Sequence, residues 1–258
     1  MPVISSPALG SPIWFDVMSS DPEAARKFYS ALFGWTFEVG GPDTNFYAMG
    51  RKGGSNVAGM GPMPPGAPMP SAWNVYFGVA SADETAKRVT DAGGQVMMAP
   101  MDVMEFGRMA MCADPTGAMF GLWQPGTHTG SQLNNEHGAM AWSEVNTRDI
   151  DRATSFYGNV FDLGASPMEG SPSPYNMLMQ NGEPVAGAMQ MTPEWGEMPP
   201  HWMPYFAVDS IDSAVKTVAD NGGTVAHGPF DTPYGRMAVI IDPQGAAVSI
   251  IQLSQQAS

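Results

Sequence analysis

The chain has 258 residues and a formal net charge of −14, from 25 acidic and 11 basic side chains. A surface this acidic repels phosphate backbones and anionic lipid, so neither nucleic acid nor a membrane is expected as a partner. The lone cysteine excludes an internal disulfide framework, no apolar run reaches the roughly 18 residues of a membrane span, and the N-terminus lacks the features of a signal peptide. These features predict a cytoplasmic protein.

The first predicted element is a strand over residues 11–18. Its alternation places Ile13, Phe15 and Val17 on one face and Trp14, Asp16 and Met18 on the other. Asp21 is expected to cap a helix that has Pro22 at its first position and ends near Gly34. Three short strands follow, near residues 35–39, 45–50 and 56–60, before a Pro/Gly-rich stretch at 61–70.

The same order begins again inside the first half of the chain. A strand over 73–79 precedes a helix over 83–92, which Ser81 and Glu84 open as a capping box. Strands near 95–97, 107–113 and 118–124 complete this unit, and the turn Asp114-Pro115-Thr116-Gly117 joins the last two. Each half is therefore read as two βαβββ units.

The whole pattern then repeats about 128 positions later. Trp14 and Asp16 recur as Trp142 and Glu144, and the Phe28-Tyr29 pair recurs as Phe156-Tyr157. A repeat of this length is a domain rather than a solenoid unit. We expect one domain over 1–127, a polar, exposed linker over 128–137 and a second domain over 138–258. Pairing of the units within each copy or across copies stays open.

Four βαβββ units, the helix motif Phe-Tyr-x-x-x-Phe and Asp-Pro-x-Gly before the last strand resemble the vicinal oxygen chelate superfamily, which contains glyoxalase I, extradiol dioxygenases and bleomycin-binding proteins. The chain looks most similar to its bacterial tandem glyoxalase-like members. The resemblance covers nearly the whole chain and implies an α+β fold of two tandem glyoxalase-like domains, with curved mixed sheets around clefts. It is strong evidence for the fold and weak evidence for the reaction.

Catalytic members of that superfamily hold a divalent ion with His, Gln or Glu from four strand positions of each domain. The resemblance places these positions at Trp14, Gly59, Asn74 and Gly121, and at Trp142, Gly187, Met203 and Ser249. None is a competent His or carboxylate ligand. The histidines do not restore a site, because His128 and His137 lie in the linker while His201 and His227 replace Ala72 and Met98 of the first copy. We therefore expect no metal and no other cofactor.

An aromatic cleft with one acid is expected in each copy instead. Asp16 and Glu144 are the candidate catalytic acids, because a partly apolar pocket raises a carboxyl pKa. The alternative is that each acid caps local backbone or pairs with Arg108 or Arg236. The candidate ligand-binding residues are Trp14, Met18, Asn74, Tyr76, Arg108, Trp142, Asn146, Tyr205 and Arg236.

Several other residues have two interpretations. The 22 methionines could bind soft Cu(I), but scattered positions favour filling of cores and adaptable pockets. Cys112 is expected to be a buried apolar residue rather than a nucleophile. Trp73 and Trp202 are expected in the core or at the cleft rim, and the loops 61–70 and 191–200 are lids or, more commonly, rigid connectors.

The sequence is compatible with three functions. The leading hypothesis is metal-independent binding of a small, partly apolar or aromatic molecule. The second is a lyase, isomerase or hydroxylase-like enzyme that uses Asp16 or Glu144 to move a proton. The third is an interaction protein with vestigial sites. The expected state is a monomer containing an intramolecular pseudo-dimer, or a homodimer.

Overall fold

A computed structural model describes residues 8–63, 66, 70–171 and 173–254. The first copy consists of β1 (Pro12–Ser19), α1 (Pro22–Phe33), β2 (Thr36–Val39), β3 (Ala48–Lys52), β4 (Ser55–Pro62), β5 (Ala72–Gly78), α2 (Ala82–Asp91), β6 (Gln95–Val103), β7 (Gly107–Ala113) and β8 (Met119–Pro125). The second copy repeats the order as β9 (Met140–Thr147), α3 (Ile150–Phe161), β10 (Gly164–Pro167), β11 (Tyr175–Gln180), β12 (Glu183–Gln190), β13 (His201–Ala207), α4 (Ile211–Asp220), β14 (Thr224–Thr232), β15 (Gly235–Ile241) and β16 (Ala247–Leu253). The predicted α+β architecture of four βαβββ units is confirmed.

The helix boundaries follow from the predicted caps. The Asp21 carboxylate accepts the backbone N–H of Ala24 at 3.1 Å, and Gly34 ends α1 in the left-handed conformation with φ 69°. Asp149 caps α3 in the same way through the N–H of Arg152. Ser81 caps α2 through the N–H of Glu84. Local sequence therefore determines where these helices begin.

Each copy forms one eight-stranded mixed sheet. The order is β2-β3-β4-β1-β5-β8-β7-β6 in the first copy and β10-β11-β12-β9-β13-β16-β15-β14 in the second. The two units of a copy join through antiparallel pairing of β1 with β5, and of β9 with β13. The units thus share a sheet within each copy, which answers the question that the sequence left open.

The two copies share one apolar core. The ring of Phe206 in the second copy lies 5.2 Å from that of Phe33 and 5.1 Å from that of Trp73 in the first. Conversely, Phe77 stacks on Phe161 with ring centroids 4.3 Å apart. The faces of the sheets opposite this shared core carry the candidate acids Asp16 and Glu144.

Two reciprocal hydrogen bonds cross between the copies inside this core. Tyr29 of α1 donates to Asp242 and Tyr157 of α3 donates to Asp114, each at 2.9 Å. The aspartates begin the repeated Asp-Pro-x-Gly turns, so the helix motif of one copy contacts the turn motif of the other. Trp73 donates to the Tyr29 hydroxyl, which places Trp73 in the core rather than at a cleft rim.

Two expectations about local structure are wrong. Ile13 lies with Trp14 and Tyr76 rather than with Phe15, because the β1–β5 register shifts between Pro12 and Trp14 and a bulge changes which face a side chain occupies. The linker is not generally exposed. Leu133 is buried in the shared core, and the backbone N–H of Ser131 donates to the carbonyl of Ile13.

Across the ranges that the structure describes, no helix has the length and apolar character needed to cross a membrane.

Candidate functional site

A buried carboxylate at the centre of the first sheet collects three side-chain donors. Asp16 accepts the hydroxyls of Tyr47 at 3.0 Å and Tyr76 at 3.1 Å, and the Asn74 amide at 2.9 Å. The indole N–H of Trp14 donates in turn to the Tyr47 hydroxyl at 3.0 Å. We call Trp14, Asp16, Tyr47, Asn74 and Tyr76 the first cluster.

The second sheet repeats this arrangement with one fewer donor. Glu144 accepts Tyr175 at 2.9 Å and Tyr205 at 2.7 Å, and Trp142 donates to the Tyr175 hydroxyl at 2.8 Å. Met203 stands where the first copy has Asn74. We call Trp142, Glu144, Tyr175 and Tyr205 the second cluster.

Strand register explains why these residues meet. Asp16 lies opposite Gly59 of β4 on one side and Asn74 of β5 on the other, while Tyr76 lies opposite Trp14 and Gly121. The four positions that the family resemblance implied for metal ligands therefore do surround one place in the fold.

The tyrosines occupy the space that ligand side chains from those positions would need. A Cβ at Gly59 would lie 1.8 Å from the Tyr47 hydroxyl, and one at Gly121 would lie 2.0 Å from the Tyr76 ring. A Cβ at Gly187 would lie 1.9 Å from the Tyr175 hydroxyl. Within the described residues, no group of three or more His, Cys, Asp or Glu side chains is placed to hold an ion. One carboxylate and two neutral phenols per cluster are a poor donor set for a divalent metal.

Burial dominates the electrostatics of both clusters. It raises the pKa of Asp16 and of Glu144, and the tyrosine hydrogen bonds, together with that from Asn74 to Asp16, oppose this rise by stabilising the carboxylate. Burial and the neighbouring carboxylate also hold the Tyr76 and Tyr205 pKa well above the usual range. The phenols are therefore neutral donors at physiological pH.

Apolar, adaptable side chains surround the clusters. Met49, Met109 and Met111 pack around the first, and Met203 and Met237 lie at the second. Asp16 and Glu144 are each 4% exposed, so a ligand reaches either acid only when neighbouring side chains move. Thioether side chains suit this movement because they are flexible. A separate depression of about 410 Å³ lies elsewhere, lined by Arg148 and the 193–198 loop.

The two candidate arginines lie outside the clusters. Arg108 pairs with Asp83 and Asp102 at 2.8 Å, and Arg236 pairs with Asp212 at 2.9 Å. The structure therefore places neither arginine beside an acid, which corrects their expected position and also the alternative that they pair with Asp16 or Glu144. Arg108 and Ala110 are two residues apart in β7, so their side chains lie on the same side of the sheet. Ala110 is part of the shared core, and α2 with Asp83 packs on that side.

The candidate ligand-binding residues Met18 and Asn146 occupy equivalent positions in the two copies. Met18 lies against Gly61 at the end of the first cluster, where a Cβ on Gly61 would come within 2.9 Å of its sulfur. At the equivalent position of the second copy, Asn146 is 1% exposed and its side-chain amide lies 3.3 Å from Nε2 of His201. The second copy thus adds Asn146 and His201 on the side of the sheet that carries Glu144, where the first copy has Met18 and Ala72.

Two further residues have clear environments. Cys112 is fully buried, and burial raises the pKa of its thiol to about 12, which confirms an apolar packing role. His128, assigned to the linker, packs edge-on against Trp14 with ring centroids 4.2 Å apart, and burial lowers its pKa to about 4. The linker therefore covers part of the first cluster.

The Pro-rich loops are only partly described. Residues 64, 65 and 67–69 of the first loop lie outside the described residues. In the second loop, Arg148 donates to the carbonyls of Thr192, Gly196 and Met198. These bonds fix the second loop to the start of α3, as expected for a connector.

Tyr47 and Tyr175 are the functional residues that the sequence reasoning missed. Both approach the acids from the first residues of a β-hairpin, and Asn45 and Phe46 before Tyr47 have positive φ, which interrupts the alternation of a strand. The available signal was the repeat, because Tyr47 recurs as Tyr175 at the same offset as the acids.

Comparison with known families identifies the superfamily to which the chain belongs. The family model for the glyoxalase/bleomycin resistance protein/dioxygenase superfamily matches residues 12–122 and 139–250, and the chain belongs to this superfamily. It is 41% identical to "Putative glyoxylase CFP32" of Mycobacterium tuberculosis, over 99% of this chain and 100% of that protein. It is 38% identical to the anthracycline biosynthesis protein DnrV of Streptomyces peucetius, over 96% of this chain and 95% of that one.

Solved structures share the fold at low sequence identity. The Mn(II)-bound glyoxalase from Novosphingobium aromaticivorans superposes with a TM-score of 0.66 at 15% identity, covering 95% of this chain and 82% of that one. The 2,3-dioxygenase LapB from Pseudomonas sp. KL28 gives a TM-score of 0.67 at 12% identity, covering 98% and 96%. Likeness at this identity shows a shared fold and no shared reaction.

Proposed function

We propose that this protein binds a small, partly apolar or aromatic organic molecule on its concave sheet faces without a metal ion. The observation that supports the proposal is that, in both copies, a cluster of one carboxylate and two tyrosines occupies the place where the family resemblance implied metal ligands. Tyr47 and Tyr175 fill the space next to Gly59 and Gly187 and donate to Asp16 and Glu144. Lewis-acid activation needs open coordination positions on an ion, and these clusters offer none.

The chemistry of the lining favours a flat ligand. Indole and phenol rings stack on conjugated molecules, and the surrounding methionines make favourable sulfur–aromatic contacts. The relatives at 38% identity are named for anthracycline biosynthesis, so a polycyclic aromatic compound is the ligand class that we propose for this chain. The second cluster is the better candidate, because Trp142 is half-buried whereas Trp14 is covered by His128.

A second candidate function, proton transfer, is favoured by the raised pKa of Asp16 and Glu144. A carboxyl that titrates nearer neutrality is a better general acid–base, as a lyase, isomerase or hydroxylase-like reaction would require. If a turnover assay with a polycyclic substrate is found, Glu144→Gln should lower kcat by about 10²- to 10⁴-fold with little change in affinity. A pure binding protein would instead lose affinity.

Tryptophan fluorescence tests binding directly. A polycyclic probe such as 2,6-dihydroxyanthraquinone should quench the emission of the wild type. Replacing Trp14 and Trp142 by Leu should weaken the affinity and remove most of the quenching while the protein stays folded. Trp35→Phe is the matched control, because Trp35 lies in the shared core, away from both clusters. Equal quenching and affinity in the folded double variant would show that the ligand binds elsewhere, and no binding at all would favour a vestigial site.

A further inference from the structure

Asn146 is a polar residue that neither the shared cluster nor the family pattern requires. It lies two residues after Glu144 on the same face of β9, and its first-copy counterpart is Met18. Its side-chain oxygen Oδ1 is buried and, among residues 8–63, 66, 70–171 and 173–254, has no hydrogen-bond partner. A buried acceptor without a donor is costly, and such groups call for a specific explanation.

The orientation of the Asn146 amide is determined by His201. Nδ1 of His201 lies 2.9 Å from the carbonyl oxygen of Pro199, and a carbonyl only accepts, so Nδ1 carries the proton. Burial lowers the His201 pKa, so the ring is neutral and Nε2 is an acceptor. The Asn146 atom 3.3 Å from Nε2 is therefore the amide nitrogen, and Oδ1 is the atom left free.

The second cluster's side of the sheet consequently presents two fixed acceptors, the Glu144 carboxylate and the Asn146 oxygen, together with one hydroxyl, that of Ser249 opposite Tyr205, which can donate or accept. Tyr175 and Tyr205 both donate their hydroxyl protons to Glu144, so neither phenol has a proton left for a ligand. The Glu144 carboxylate and the Asn146 oxygen are two residues, or about 7 Å, apart along β9. A ligand carboxylate or ether oxygen would add a further acceptor to this face. A ligand hydroxyl would supply the missing donor.

We infer that the second cleft selects hydroxylated aromatic molecules through a hydrogen bond from a ligand O–H to Asn146 Oδ1. Asn146 is the specificity-determining residue, and His201 is a positioning residue that holds its amide. The first cleft lacks both groups, because Met18 and Ala72 occupy the two positions. This inference rests on the proposed function and adds the chemical class that the cleft prefers.

The test compares two probes with the same ring system: 2,6-dihydroxyanthraquinone, whose substituents can donate a hydrogen bond, and 2,6-dimethoxyanthraquinone, whose slightly larger substituents can only accept one. Calorimetric titration of the wild type should show tighter binding of the dihydroxy probe by about tenfold, since one hydrogen bond to a buried acceptor is involved. Asn146→Met should remove this preference by weakening the dihydroxy probe alone. His201→Ala should reduce the preference as well, because the amide loses its anchor. Asn159→Met, on the exposed face of α3, is the matched control and should keep the preference.

The outcomes separate this inference from the proposal beneath it. If both probes bind the wild type equally, or if the preference survives in Asn146→Met, the inference is overturned and the proposed binding function stands. If neither probe binds any folded variant, both are overturned. The comparison of the two probes on the wild type needs no mutation, so it can overturn the inference even if Asn146→Met folds poorly.

Discussion

Tyr157→Phe should destabilise the whole chain far more than removal of one hydroxyl group usually does. The Tyr157 hydroxyl is fully buried between the copies, donates to Asp114 at 2.9 Å and accepts the Trp202 indole N–H at 2.7 Å. Its loss leaves one carboxylate oxygen and one indole N–H buried without partners. At about 1–3 kcal/mol for each group, with the charged one near the upper end, the free energy of unfolding should fall by about 3–5 kcal/mol.

Urea unfolding followed by tryptophan fluorescence and by circular dichroism measures this loss. For a chain of this size the Tm should fall by about 2–4 °C for each kcal/mol. Tyr234→Phe is the control, because the Tyr234 side chain is exposed and its hydroxyl contacts the sulfur of Met168. A loss below about 1 kcal/mol, or one equal to that of Tyr234→Phe, would show that the bond between the copies does not stabilise the fold.

Three other predictions concern the clusters and the core. Burial raises the pKa of Asp16 in the folded protein, so its contribution to the free energy of unfolding is fully present below about pH 4 and is lost as pH rises through the raised pKa. In urea titrations, the stability of the wild type relative to Asp16→Asn should therefore fall over that pH window. A stability difference that does not vary with pH would contradict this. Gly187→Ala should displace Tyr175 and lower the Tm, whereas Gly41→Ala, where a Cβ meets no atom within 4 Å, should not; equal Tm values would refute the packing argument. Cys112 should resist alkylation by iodoacetamide in the folded protein, since its thiol is buried with a pKa of about 12, and rapid labelling under native conditions would contradict this.

Much of the fold and the centre of each site could be predicted from the repeat and from strand alternation. Alternation in β1 predicts that Trp14 and Asp16 lie on the same face of the strand, and the repeat predicts the same for Trp142 and Glu144. The pairing tyrosines Tyr76 and Tyr205 followed from the matching strands.

The errors have identifiable physical causes. Ile13 changes face at a bulge, which a period of two cannot show. Arg108 was placed beside the acid because it shares the sheet, although alternation with Ala110 already put it on the core-facing side. The partner of Asn146 depends on a cross-strand neighbour, His201, 55 positions away, so no local pattern reveals its free oxygen.

Binding without metal is the central claim, and one titration tests it most directly. The protein is dialysed against EDTA, its metal content is measured, and 2,6-dihydroxyanthraquinone is titrated in the absence and presence of Mn(II). The account predicts no stoichiometric metal and affinities that agree within about twofold. About one tightly held ion per cleft, or binding that appears only when Mn(II) is added, would contradict it.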